Sequence, residues 1–287
     1  QRDGYVTEIA DEYIHVRDAR SGKKTSEVLP IADARANAAP IDFGMKPPAP
    51  KQPGLHVFDD RDLADLAQCI DWTPFFRAWE LHGVYPRILD DEIVVQSARA
   101  LKVDADAMLE QIISEKWLTA RGVAGFWSCI QDGDDVLLTD ESGARLPMLR
   151  QQVNKSRGRP NMCLADFIDP TGDWIGGFAV GIHGIEPHIE RFQADKDDYS
   201  DIMLKALADR FAEAFAERLH QHTRTTLWGY APGEQLTNEA LIKEEYRGIR
   251  PAPGYPACPD HSLKPILFEL LEAEKNVGLT LTESFAM

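Results

Sequence analysis

The 287-residue chain is 44% hydrophobic, enough to bury a large core, and its 31 basic and 47 acidic side chains leave a net charge of −16. That balance excludes phosphate neutralisation as a binding mode, and with it nucleic acid as a partner. Cys69, Cys129, Cys163 and Cys258 are scattered without a CxxC pair, the usage of reduced cytosolic thiols, so a disulfide scaffold is excluded.

In chain order, Val6, Ile9, Tyr13 and Val16 recur at helical spacing before Gly22, which predicts one terminal helix. Five prolines between Pro40 and Pro53 read as a linker, so the globular part is expected from Leu55. Asp62–Ile70, Thr73–Trp79, Asp91–Leu101 and Asp104–Trp117 read as helices, the last two with acidic first turns. Val123–Ile130 and Val136–Thr139 are β-prone runs around a turn at 131–135, and Met162–Ile168 and Trp174–His183 also read as strands. The 174–185 stretch is the most apolar, contains four glycines and is too short to span a bilayer, so no membrane is expected as a partner.

Met203, Leu207, Phe211, Phe215 and Leu219 form an unbroken i, i+4 stripe on a helix over 201–222. A short strand Leu227–Tyr230, a helix Asn238–Tyr246, a proline-rich loop and a helix Leu263–Lys275 follow, the last one capped by Ser262. Grouped strands joined by hairpins, with helices mostly before and after, predict an α+β fold, an antiparallel β-sheet flanked by helices. The start lacks an initiator Met and a signal segment, and Leu281–Met287 alternates like an unfinished strand, so a piece of a longer polypeptide is expected.

Motifs are sparse. Gly176, Gly177, Gly181 and Gly184 match no phosphate-binding pattern and read as places where the sheet bends or packs closely. Cys258 and His261 lack a second ligand pair, and no metal is expected in this chain. Asp209, Glu213 and Glu217 form an acidic row opposite the apolar stripe, readable as a solvated face or as the edge of a binding cleft. Arg247–His261 has four prolines between positions 251 and 259, which leave it little freedom to lose on binding; composition reads it equally as a rigid connector or a binding loop.

Several strings are more specific: Asp71-Trp72-Thr73-Pro74-Phe75-Phe76, Tyr85-Pro86-Arg87-Ile88-Leu89, Cys163-Leu164-Ala165-Asp166-Phe167, Trp228-Gly229-Tyr230, the whole Arg250–His261 loop and Leu281–Met287. Over residues 55–287 the chain resembles the C-terminal activation domain of cobalamin-dependent methionine synthase, while 1–24 resemble the last helix of that enzyme's cobalamin-binding domain and 25–54 its interdomain linker. The resemblance implies a reactivation module that binds S-adenosylmethionine and gives its methyl group, with an electron from a flavodoxin-type reductase, to cob(II)alamin held by the neighbouring domain. It implies that Asp71 and Arg250 hold the methionine end, that Ala252 and Tyr255 lie along the ligand, and that Glu213 borders the same cleft.

The ligand's ammonium and carboxylate call for an acid and a forked donor, which Asp71 and Arg250 are. No side chain of this chain is expected to do covalent catalysis, and zinc belongs elsewhere in the full-length enzyme. No Asp-x-His-x-x-Gly occurs, so cobalamin is expected to be held only by the neighbouring domain, and the segment that follows in the family and closes over the ligand is expected beyond Met287. The rival expectation is a nonenzymatic domain that covers the cobalamin domain or docks the reductase through its acidic surface without binding the ligand; the basic turn Lys155, Arg157, Arg159 reads as a solubilising turn or as a local docking patch.

Overall fold

A computed structural model describes residues 28–44, 48–155, 158–255 and 257–285. The expected N-terminal helix, Ser156 and Arg157 lie outside the described residues. The architecture is α+β, as expected: one five-stranded antiparallel sheet with helices on both faces.

The sheet is organised by one long strand. β1 is Gly54–Arg61, β2 Thr119–Asp132, β3 Asp135–Leu138, β4 Arg145–Pro147 and β5 Asp173–His183. On one side β2 pairs with β5 from Thr119↔His183 to Cys129↔Asp173; on the other it pairs first with β1 and then with β3 through the two-residue turn Gly133-Asp134. Gly133 stands at φ +66°, the left-handed conformation such a turn requires. Side chains alternate across β2: Ala120, Ala124 and Phe126 enter one core, while Val123, Trp127 and Cys129 enter another.

The first core is helical. α2 (Leu63–Ala67), α3 (Trp72–Ala78), α4 (Val95–Ser114), α5 (Glu186–Ala194) and α6 (Asp198–His222) supply Leu66, Phe75, Phe76, Ile112, Phe192, Leu207, Phe211 and Phe215, all buried. The second core joins Val136, Leu146, Met148 and Cys163 to α8 (Leu263–Leu270), α9 (Ala273–Val277) and Cys258. Two shorter helices are α1 (Ile31–Ala36) and α7 (Asn238–Ile242). Among the described residues no helix is long and apolar enough to cross a membrane.

Several elements differ from the sequence expectation. α4 is one continuous helix, because Ala98, Leu101, Ala105 and Ile112 keep helical spacing across the expected break and Val103 simply faces outward. Strand β1 and helix α5 were not anticipated. Met162–Ile168 is not a strand but contains a 3₁₀ turn, Leu164–Phe167, in which Asp166 Oδ2 accepts the Cys163 N–H at 3.0 Å. Leu227–Tyr230 is not a strand either: α6 continues into a π turn, Thr223–Leu227, and the amides of Trp228 and Ala231 bond back to Thr223 and Arg224. The helix expected to reach Tyr246 stops at Ile242, with Glu244 left-handed.

The expected helix over 263–275 is two helices, because Leu271 and Ala273 are both buried and a left-handed Glu272 redirects the chain between them. Ser262 makes no side-chain cap; Asp260 Oδ1 accepts the Ser262 amide at 2.8 Å instead. Around Leu281–Phe285 the described chain turns, Phe285 N–H bonding Thr282 O, rather than extending as a strand. Gly181 in β5 and Gly184 just after it do sit at close approaches: a Cβ on Gly181 would lie 2.9 Å from Leu279, and one on Gly184 2.7 Å from the Trp117 carbonyl oxygen.

The described part of 25–54 is packed, not loose. Leu29 N–H bonds Gln152 O, Asn37 bonds Asn161, Ala34 is fully buried, and the Trp228 indole donates to Pro48 O at 2.7 Å. Arg35 pairs with Asp134 at 2.7 Å, and Asp134 also takes Arg150, which forks onto Asp166 at 2.7 and 2.5 Å. Burial alone would push the Asp134 carboxyl up, but bonds from Arg35 and Arg150 hold it below the usual carboxylate range. Arg150→Ala therefore strands buried Asp166 and takes from half-buried Asp134 one of its two arginine partners, and urea denaturation is expected to register a loss of about 3–5 kcal/mol. A loss below about 1 kcal/mol would show that water compensates both carboxylates.

Candidate functional site

The residues expected to form a site lie at the C-terminal end of α6, the start of α3 and the loop between α7 and α8. Along α6 the stripe Met203, Leu207, Phe211, Phe215 and Leu219 is at most 2% exposed, while the acidic row splits. Asp209 and Glu213 are exposed, but Glu217 is only 8% exposed and meets Arg250 Nη2 at 2.9 Å. Burial pushes the Glu217 carboxyl up, opposed by the Arg250 and Arg224 charges. The solvated reading of the row thus holds for two residues and fails for the third.

Behind this pair lies a second charged cluster. Arg224, fully buried on the π turn, forks onto Glu234 at 2.8 and 2.7 Å and donates Nη1–H to His220 Nδ1 at 2.7 Å. Its guanidinium stands 4.0 Å from the Tyr246 ring centroid, and His220 meets the same ring edge-on at 4.8 Å. Tyr246 and Arg250, four residues apart, are thereby fastened to the end of α6.

The rest of the loop is fastened to the second core. Tyr255 N–H bonds Ala252 O, Gly254 N–H bonds Cys258 O, Cys258 N–H bonds Tyr255 O, and Leu164 N–H bonds Ala257 O. Gly254, at φ +107°, lies so close to His261 that a Cβ there would meet its ring at 2.5 Å. This closes the alternative between connector and binding loop only in part: the backbone is rigid, while Ala252 and the Tyr255 ring, 43% exposed, remain at the surface.

Asp71 is the N-cap of α3, its Oδ1 accepting the Thr73 amide at 2.9 Å, and Oδ2 has no partner among the described residues. Asn238, at the start of α7, donates to the neighbouring Ile70 carbonyl at 3.2 Å. No hydrogen bond joins Asp71 to Arg250 or Glu213. The structure therefore brings Arg250 directly onto the acidic helix and sets Ala252 and Tyr255 in one turn, with Asp71 on a separate element. Sequence reasoning assigned no site role to His220, Arg224, Glu234 or Tyr246; Glu217 was visible only as the third member of the acidic row.

Among the described residues no three His, Cys, Asp or Glu side chains are grouped to hold a metal ion. A groove of about 610 Å³ beside α8 and α9, lined by Phe268, Glu269, Leu279 and Leu281 among others, contains none of the expected site residues.

His220 offers a direct check of this cluster. Burial, with the Arg224 and Arg250 charges, pushes its imidazole down from 6.5 to about 3. The unfolded chain takes up a proton below pH 6.5 that the folded chain refuses until about pH 3, so stability falls as pH falls through that window, by roughly 1 kcal/mol per unit from this group. His220→Gln is expected to flatten the decline between pH 6 and 4 in urea titrations; identical slopes would mean that His220 is solvated.

Two comparisons bear on this site. The family model described as vitamin B12 dependent methionine synthase, activation domain, matches residues 62–287. A solved structure, described as the crystal structure of the MetH reactivation domain bound to AdoHcy, is 46% identical with a TM-score of 0.86, over 91% of this chain and 83% of that one. With four-fifths of its length matched by the family and its fold reproduced at that identity, the chain belongs to the vitamin B12-dependent methionine synthase activation-domain family.

Proposed function

We propose that this chain is a reactivation module that binds S-adenosylmethionine and presents its methyl group to a cobalamin carried by the neighbouring domain. The observation that carries this reading is Arg250, held at the head of a rigid loop with Nε and Nη1 lacking any partner among the described residues. Either of them, together with the second hydrogen of Nη2, makes a fork suited to the ligand's carboxylate. Asp71 Oδ2 is an acceptor suited to its ammonium, exposed Glu213 adds negative potential for the net cation, and Ala252 and Tyr255 offer a fixed surface along the nucleoside. Bound cobalamin supplies the cobalt that accepts the methyl group; this chain's part is to bind and orient the donor.

In this reading residues 55–287 are the activation domain, 25–54 the linker laid along it, and 1–24 the last helix of the cobalamin-binding domain. The reductant is a flavodoxin-type protein and the setting cytoplasmic, in keeping with four free, buried cysteines. Methyltransferase activity belongs to the module together with its cobalamin domain.

Calorimetry with S-adenosylmethionine tests the site. Arg250→Ala is expected to weaken binding by about 2–4 kcal/mol, with Lys recovering only part because it cannot form the fork. Asp71→Asn keeps a capping oxygen, so its melting point is expected to stay nearly unchanged while affinity falls. An unchanged affinity would reduce Asp71 to a cap. Silence in the wild type would favour the docking-only reading.

Flavodoxins are acidic, as is this chain, so net charge does not attract one and docking relies on a local basic patch or on the cobalamin domain. Reversing Arg157 and Arg159 to Glu is expected to slow reductive methylation most at low ionic strength, with ligand affinity unchanged. A loss independent of salt, or none, removes the patch from docking.

A further inference from the structure

Arg250 is a long side chain on a loop, and a guanidinium at a binding site must be held in one orientation to act as a fork. Glu217 is placed to do that holding. It stands on the last turns of α6 between buried Phe215 and Leu219, is 8% exposed, and contacts Arg250 through Oε2 alone. Its other oxygen, Oε1, is buried without a partner among the described residues.

The neighbouring cation does not compete for this carboxylate. Arg224 spends Nε and Nη2 on Glu234 and Nη1 on His220, so each of its nitrogens already has a partner. Glu217 is therefore committed to Arg250. Each guanidinium has two bidentate edges, and Nη2 contributes one hydrogen to each. Glu217 takes a single Nη2 hydrogen, which leaves one edge complete for a ligand carboxylate.

We infer that Glu217 is the positioning residue of the methionine-carboxylate subsite: it fixes Arg250 by one charged hydrogen bond and leaves the guanidinium's second edge to the ligand. The inference rests on the ligand reading above and adds to it a residue that acts through Arg250 rather than on the ligand.

The test is a double-mutant cycle on the 287-residue chain, with calorimetric Kd values for S-adenosylhomocysteine in the wild type, Glu217→Gln, Arg250→Ala and the double variant. Glutamine keeps the size of the side chain and removes its charge. Glu217→Gln is expected to weaken binding about tenfold in the wild type and to add nothing in the Arg250→Ala background, because the residue it positions is gone. For 5′-methylthioadenosine, which lacks the amino-acid end, wild type and Glu217→Gln are expected to bind equally.

Unchanged or tighter S-adenosylhomocysteine binding by Glu217→Gln would overturn the inference, since Glu217 would then be idle or a competitor. Losses that multiply in the double variant, or an equal loss for 5′-methylthioadenosine, would overturn it in favour of a general distortion of the loop. If Arg250→Ala alone binds like the wild type, the ligand reading fails first, and the inference with it.

Discussion

Strand β2 is buried on both faces, and the rest of the structure is arranged to keep it so. Along its middle, Ala120, Ala124 and Phe126 enter the helical core and Val123, Trp127 and Cys129 the smaller core under α8 and α9. An antiparallel sheet with one wet face would need cover on one side only; here each face needs its own layer. The long helix α6 answers the first need and the segment from Cys258 to Val277 the second. The proline-rich loop that joins the end of α6 to α8, by way of α7, must therefore cross from one layer to the other. It is where the expected site residues Arg250, Ala252 and Tyr255 lie.

Charge burial then sharpens that crossing. Two buried arginines, Arg150 and Arg224, are each satisfied by forked carboxylates, and each ties a separate chain segment to the domain: Arg150 through Asp134 the stretch around Arg35, and Arg224 the segment carrying Glu234 and Tyr246. Such pairs contribute little net stability compared with apolar packing, but they tolerate few alternative arrangements. Arg250 is the partial exception: it has one buried partner and unspent donors, which is why it, and not Arg150 or Arg224, is the cation suited to an external anion.

The remaining expected residues hold their places by different means. Asp71 is oriented by its capping bond to Thr73, and Ala252 and Tyr255 by a turn braced through Cys258 and by the close contact of Gly254 with His261. A site assembled from a cap, a helix end and a clamped loop has little conformational freedom to lose when a ligand arrives. The family relationship places these pieces in a domain type whose solved relative is described as bound to AdoHcy.

Much of this was legible in the sequence where one short-range rule decided the outcome. The i, i+4 stripe of α6 determined that helix, alternation and turn residues determined the β2–β3 hairpin, and the unusual string Arg250–His261 pointed to the family without any coordinates. Where two demands competed, only the tertiary structure decided. β1, with much of its length exposed, is a strand because β2 offers it an edge, and α4 runs through its expected break because its buried face continues. Residues 263–277 divide because Leu271 and Ala273 must both be buried. Glu217 belonged, by sequence, to a row of three equivalent acids; it alone is buried, because the chain that returns after α6 covers that turn of the helix and brings Arg250 to it. Periodicity can report which face of a helix is polar. Which polar residue on that face loses its water depends on what folds back over it, and that is a property of the whole chain.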